Sequence, residues 1–250
     1  MIPVFIEIFS GSARLARAVS KAAGWLAMKW DILDGADYDL LRPAVQRLLK
    51  GWLRAGQIRA FHMGFPCASW SRARDCPNGP PRLRSPQHVL GLPNLHPSDQ
   101  VKVEAGNELV RFTAQFCEYA IMLQIPWTIE NPSTSYAWDS PPIRRLTARR
   151  LVTSAKVEFC SFGTPWRKST AFRAYAVNLE WMNDHRCTGH VCRYTGRKHV
   201  VLSGKVPGET RFRTSVAEPY PPKLCVKLAS AFVNEAARTR AAQFASALTA

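Results

Sequence analysis

A mostly parallel α/β sheet flanked by helices is the fold this sequence predicts, on three observations. Short apolar runs alternate with helix-periodic stretches through the first half of the chain. The opening run, Pro3 to Ile8, leads through Phe9-Ser-Gly-Ser-Ala13 into a helical stretch, and strand, glycine turn, helix is the opening of a Rossmann-type unit. Two later runs, Ile58 to Phe65 and Ile125 to Ile129, stop at polar, chemistry-bearing steps: Pro66-Cys67 and Glu130-Asn131-Pro132.

Taken in order, Pro3–Ile8 reads as a first strand and Arg14–Ala23 as a helix with apolar residues at helical spacing, ended by Gly24. Trp25–Trp30 reads as a second strand closed by Asp31, where folds of this kind hold a nucleotide ribose; the alternative is a turn cap. Leu40–Leu53 reads as an amphipathic helix and Ile58–Cys67 as the next strand. From Ser69 to Ser98 the prolines 77, 80, 81, 86, 93 and 97 forbid a continuous helix. A connection this long is a lid or binding loop, and its arginines (72, 74, 82, 84) suit an anionic substrate. Val101–Gln124 is a long helix, and Ile125–Ile129 a strand that delivers Glu130 to the same sheet edge as Cys67. A polar turn and basic helix follow. Leu151–Phe159 and Ser169–Val177 read as antiparallel strands. Trp181–Pro219 has no clear periodicity, and Lys223–Leu248 is an amphipathic closing helix.

Bulk properties narrow the function. The chain has 250 residues and 46% hydrophobic content, enough for a core. No run approaches the roughly 20 apolar residues of a membrane span, and the apolar start reads as a buried strand, not a secretory leader. Seven scattered cysteines do not make a disulfide framework and suit a reducing compartment. With 34 Lys+Arg against 18 Asp+Glu, the net charge is +16. Clusters at Arg72–Arg84, Arg144–Arg150, Trp166–Lys168 and Arg193–Lys198, with Trp70, Trp166 and Tyr194 among them, favour a polyanion whose bases stack on aromatics. The bland alternative is a solvated basic face.

These residues, in this order, resemble the cytosine-5 nucleic-acid methyltransferases, over roughly residues 3 to 235 of the chain. Phe9-Ser-Gly-Ser-Ala-Arg-Leu15 looks like their S-adenosylmethionine loop, with Ala13 in place of a second glycine. Pro66-Cys67-Ala-Ser-Trp-Ser71 is similar to their nucleophile motif. Glu130-Asn131-Pro132 resembles their Glu-Asn-Val step. Phe162–Thr170 sits where the family carries an arginine-bearing substrate strand, although the family's Gln-x-Arg-x-Arg pattern is missing. Ala217-Glu-Pro-Tyr-Pro221 looks like the closing cofactor-side segment.

The resemblance implies a Rossmann-like class I methyltransferase domain at 1–178 plus 215–250, with a small basic target-recognition segment at 179–214. It implies methyl transfer from S-adenosyl-L-methionine to C5 of cytosine in DNA, with the base flipped from its stack. Cys67, Glu130 and Arg167 are then catalytic. Phe9, Gly11, Ser12, Asp31, Asp39, Pro66 and Tyr220 line the cofactor, and Trp30 or Ile32 packs on its adenine unless Trp30 is core. Ser69, Ser71, Arg72, Arg74, Asn131, Lys168 and Thr170 meet nucleic acid. The partner is DNA, with RNA the alternative substrate; no membrane is involved, the chain is a monomer, and the place of action is nuclear or, in a prokaryote, cytoplasmic at the nucleoid. Two competing readings are a non-catalytic nucleic-acid-binding protein on this fold and a cysteine hydrolase. The latter lacks a poised histidine, since His62 lies on the wrong side of the strand end. His185-Arg-Cys187-Thr-Gly-His190-Val-Cys192, with His199 beyond, does not have the spacing of a well-attested zinc frame. A structural zinc there and a basic histidine-containing loop touching nucleic acid are the two readings, and no metal is assigned among the site residues.

Overall fold

A computed structural model of the chain describes residues 4–76, 79–204, 208 and 212–248, the last helix beyond 235 by its backbone alone. Pro3 and Pro77, and residues 205–207 and 209–211 of the irregular segment, lie outside the described residues.

Six strands form one sheet: β1 (Val4–Ile8), β2 (Leu26–Trp30), β3 (Ala60–Met63), β4 (Trp127–Pro132), β5 (Val152–Glu158) and β6 (Ser169–Tyr175), in the spatial order β2-β1-β3-β4-β6-β5. β1 to β4 are mutually parallel, and β6 runs antiparallel between β4 and β5. This is the mixed, Rossmann-like sheet the sequence predicts, including its antiparallel pair. Strand order reverses between β1 and β3. That is the switch point at which open α/β sheets leave a crevice beyond their strand carboxyl ends.

The helices are α1 (Arg14–Ala23), α2 (Pro43–Arg54), α3 (Pro97–Met122), α4 (Pro141–Thr147), the single turn α5 (Arg213–Val216) and α6 (Pro222–Leu248). The sequence reading began two of them at Leu40 and Val101. Both begin instead at a proline, Pro43 and Pro97. Proline's fixed φ and missing N–H suit the first helical turn, so Pro97, expected to break a helix, starts one, and Pro43, expected inside a helix, is its first residue.

The strands alternate their side chains between two layers. Ile6, Ile8, Phe61, Met63, Trp127 and Ile129 pack toward the face that also holds Leu49, Phe116 and Ile143 of α2, α3 and α4. Phe5, Ala60, Phe172 and Ala174 pack with Leu15, Val19, Leu224 and Phe232 of α1 and α6. A polar row crosses the second face. Glu7 lies beside His62 and His62 beside Thr128 in the strand register, and all three are buried. Glu130 follows two residues after Thr128 on the same face.

The described residues of the connection from Ser69 to Ser98 are tied together by internal contacts. Its anchor is Arg84, 1% exposed, whose guanidinium lies 3.3 Å from the centre of the Trp70 ring. Arg84 Nε donates to the Ser69 carbonyl, Nη1 to the Val89 carbonyl and Asn107 Oδ1, and Nη2 to Ser69 Oγ and the Val103 carbonyl. Burial lowers its pKa to about 10, which leaves it charged at neutral pH. Arg74 bonds the Ala68 and Pro81 carbonyls, and Arg82 pairs with Asp75. Three of the four arginines expected to face substrate therefore hold the loop together.

Glu7 accepts a hydrogen bond from the Ala16 N–H at 2.6 Å, tying β1 to α1, yet burial pushes its pKa up to about 7 from the usual 4.5. The folded chain thus favours the protonated acid. Its contribution to stability is complete below pH 4.5 and is lost as the pH rises through 7. Urea unfolding of the wild type and Glu7→Gln across this range is expected to show their difference moving by about 3 kcal/mol in the variant's favour between pH 4.5 and 8. A difference independent of pH would contradict this account.

Candidate active site

The loop after β1 and the loop after β3 flank the switch point. In the first, Phe9, Gly11 and Ala13 have φ of 58°, 47° and 50°. Two of these are non-glycine residues in the left-handed region, a conformation that persists only where the surroundings impose it. Phe9 N–H donates to the Trp30 carbonyl at 2.8 Å and Ala13 N–H to the Ser10 carbonyl at 2.7 Å. Asp31 spans the gap between strand ends: Oδ2 accepts from the Gly11 N–H at 2.8 Å and Oδ1 from the Leu33 N–H at 3.0 Å. Gly11 faces open space, and Ser10 Oγ is buried without a partner among the described residues.

Beyond β3 the chain turns at Gly64 and brings half-buried Cys67 out behind exposed Pro66. Asn131 fastens this turn to the end of β4, its Nδ2 donating to the Phe65 carbonyl at 2.8 Å. Glu130, 6% exposed, accepts from the Tyr220 hydroxyl through Oε2 at 2.9 Å, while its Oε1 is buried with no partner among the described residues. The tyrosine oxygen also lies 2.9 Å from His62 Nε2, and His62 Nδ1 lies 2.7 Å from Thr128 Oγ1. With the Tyr220 proton given to Glu130, the ring's Nε2–H donates to Tyr220, and Nδ1 accepts from Thr128. Burial holds His62 neutral, with a pKa lowered to about 3.

Protonation follows burial elsewhere in the site. Desolvation raises the pKa of Glu130, opposed by Lys168 and by the Tyr220 hydrogen bond. Desolvation also raises Cys67, again opposed by Lys168 and reinforced by Glu130 and Glu218. Thiol, carboxyl and ammonium are thus within electrostatic reach of one another. Lys168 donates to the Ala217 carbonyl at 3.0 Å and sits 4.8 Å from the centre of the Phe159 ring.

Several residues do other work than the sequence suggested. Arg167 is exposed and donates to the Thr188 carbonyl; the cation turned toward Cys67 and Glu130 is Lys168. The Tyr220 hydroxyl bonds Glu130 and His62, and its carbonyl accepts from Arg14, just after the β1 loop. Asn131, Thr170 and Ser69 are buried and belong to the scaffold, not to a surface that meets nucleic acid. Ser71 caps the short turn at Arg72–Asp75, and Arg74 bonds carbonyls, while Arg72 is exposed above the Tyr136 ring. Asp39 caps its own turn through the Leu41 N–H. Trp30 is core, packed on Tyr38 and Trp52, whereas Ile32 is exposed. Sequence reasoning set His62 aside as turned away from Cys67 and missed Gly64. A Cβ at Gly64 would stand 2.5 Å from the Tyr220 oxygen, so the close approach of Tyr220 requires glycine there. A histidine between Phe61 and Met63 in a strand buried on both faces was the available signal for the first; nothing local signals the second.

No family model matches the chain, and no curated protein matches it. Among solved structures it is similar to a methyltransferase of Entamoeba histolytica, EhMeth, at 12% identity and a TM-score of 0.42, covering 72% of this chain and 55% of that one. The chain spans about half the length of that structure. A likeness of this size carries no functional weight.

If Lys168 restrains the rise in the Cys67 pKa, Lys168→Met moves it higher. Alkylation of Cys67 by iodoacetamide, followed by peptide mass mapping, is expected to shift to higher pH in Lys168→Met and to stay put in Arg167→Met. The reverse pattern would restore Arg167 to the site.

Proposed function

We propose that this chain is a DNA cytosine-5 methyltransferase using S-adenosyl-L-methionine. The observation that carries the reading is the placing of two groups beyond the end of the β3–β4 pairing. Cys67 follows β3, and Glu130, one residue past the last β3–β4 pair, has one oxygen committed to Tyr220 and the other without a partner among the described residues.

Cys67 adds through sulfur to C6 of a cytosine, which makes C5 enamine-like. Glu130 presents its unpartnered oxygen to the N3/N4 edge, and a raised carboxyl pKa suits holding a proton at N3 during that addition. Loss of the C5 proton later expels Cys67. The raised thiol pKa requires that the Cys67 proton be removed on the way, and Lys168 lowers that cost by its charge.

The β1 loop fits the cofactor: its open face at Gly11, the unpartnered Ser10 Oγ and the Asp31 carboxylate provide room and polar groups for an amino-acid tail and a ribose. When bound, S-adenosylmethionine supplies an electrophilic methyl group. Phe9, Gly11, Ser12 and Asp31 hold it, with Ile32 rather than Trp30 available to its adenine.

Duplex pairing hides the cytosine edge, so the base enters flipped or unpaired. Exposed Arg72, Arg144, Arg145, Arg193, Arg197 and Lys198 supply phosphate contacts. DNA is the proposed partner, and RNA the outcome the substrate assay would reveal instead.

Cys67→Ser is expected to abolish methyl transfer from labelled S-adenosylmethionine to duplex DNA, and Glu130→Gln to slow it roughly 10²- to 10⁴-fold. Full activity in Cys67→Ser would refute the nucleophile. In the wild type, an oligonucleotide carrying 5-fluorocytosine with S-adenosylmethionine is expected to give a covalent adduct at Cys67. Adduct with RNA alone would move the substrate, and no cofactor binding by calorimetry would leave a nucleic-acid-binding protein.

A further inference from the structure

Outside the proposed active site, three thiols and an imidazole converge. Cys160 lies in the turn after β5, and Cys187, Cys192 and His199 lie in the irregular segment beyond β6. Their ligand atoms all fall within 4.8 Å of one another, and the three cysteines are at most 3% exposed. Cys187 Sγ is 3.6 Å from His199 Nε2. This set differs from the one the sequence brought forward. His185 bonds Lys227 and stacks on Phe162, and His190 is exposed, while Cys160 arrives from a distant element.

We propose that Cys160, Cys187, Cys192 and His199 hold one structural zinc ion that fastens the irregular segment to the end of the catalytic sheet. Four ligands of sulfur and nitrogen with no carboxylate make a closed tetrahedral set, the arrangement of structural zinc. Zinc–sulfur bonds of about 2.3 Å place tetrahedral ligand atoms roughly 3.7 Å apart, so the cluster needs to contract by about 1 Å at most.

The surrounding backbone is arranged for such ligands. The Thr195 and Gly196 N–H groups both donate to the Cys192 carbonyl, and Gly196, with φ of 67°, makes the turn possible. Cys192 N–H donates to the Arg197 carbonyl, and the Val191–Lys198 bridge closes a small hairpin that returns His199 to the cluster. Buried Glu158 accepts from the Cys187 N–H at 2.9 Å and from Arg186 and Ser169, so this carboxylate positions the cysteine loop and is itself occupied. Second-shell bonds of this kind orient metal ligands.

The ion has a structural consequence at the site. Cys160 directly follows Phe159, whose ring lies under the Lys168 ammonium and whose N–H donates to the Lys168 carbonyl. An open pocket of about 280 Å³ is lined by Arg167, Lys168, His190 and His199. The cluster therefore sets where the exposed Arg193, Arg197 and Lys198 stand relative to Lys168.

Metal analysis of the full chain, purified under reducing conditions with zinc in the medium and without a histidine tag, is expected to give one zinc per chain. Cobalt exchange is expected to produce thiolate-to-cobalt charge-transfer absorption and tetrahedral d–d bands. Cys187→Ser and Cys192→Ser are expected to lose the metal, and Cys76→Ser and Cys225→Ser to keep it. Loss of metal from the first two variants can also follow from misfolding, so His199→Cys provides the conservative check: retained metal with a stronger charge-transfer band. Metal removal from the wild type is expected to open tryptic cleavage at Arg186, Arg193 and Arg197. Wild-type chain without stoichiometric zinc and without a cobalt spectrum, or a disulfide joining any two of the three cysteines in that preparation, would overturn the proposal. All these readouts are independent of methyl transfer.

Discussion

The Tyr220 hydroxyl is the contact on which the strand-end geometry depends. It accepts from His62 on β3, donates to Glu130 on β4, and comes from the segment leading into α6. Three elements far apart in sequence are registered by one oxygen atom. Leaving a buried donor such as His62 Nε2–H unpaired costs roughly 1–3 kcal/mol, so the tyrosine is drawn to this place by the histidine as much as by the carboxyl. Gly64 is the concession that lets it approach, and the neutral state of His62 follows from its enclosure.

A second constraint fixes the neighbouring wall. Arg84 satisfies carbonyl, hydroxyl and amide oxygens only, and its planar face covers Trp70. Guanidinium is suited to this because it presents several donors in a rigid plane and stacks on aromatic rings. Gly106 of α3 permits the contact: a Cβ there would lie 2.4 Å from Ser69 Oγ. The flank of Cys67 is thus a built surface, while Arg72 at its edge is exposed.

The mostly parallel sheet and the delivery of Cys67 and Glu130 to one edge of it were legible in the sequence, because apolar runs, glycine turns and the polar steps that follow them are local signals. Helix starts at Pro43 and Pro97 were misplaced because apolar periodicity does not register proline's preference for the first turn. The site's wiring was less legible. Arg84, Asn131 and Thr170 look like surface polar residues in one dimension, and only packing from α3 and β6 reveals them as interior. The choice between Arg167 and Lys168 turns on which of two adjacent side chains faces the sheet, a question decided by how the loop enters β6. The four-residue sulfur–imidazole cluster was hidden because Cys160 lies beyond the reach of any short spacing rule.

The protonation pattern has a consequence for the reactivity of the Cys67 thiol. Burial raises Cys67 and Glu130 and lowers His62, so each is favoured in its neutral form. A thiol reacts with peroxides and electrophiles chiefly as its thiolate. The Cys67 thiol that keeps its proton is therefore slow to oxidise, and the same desolvation sets the cost of removing that proton.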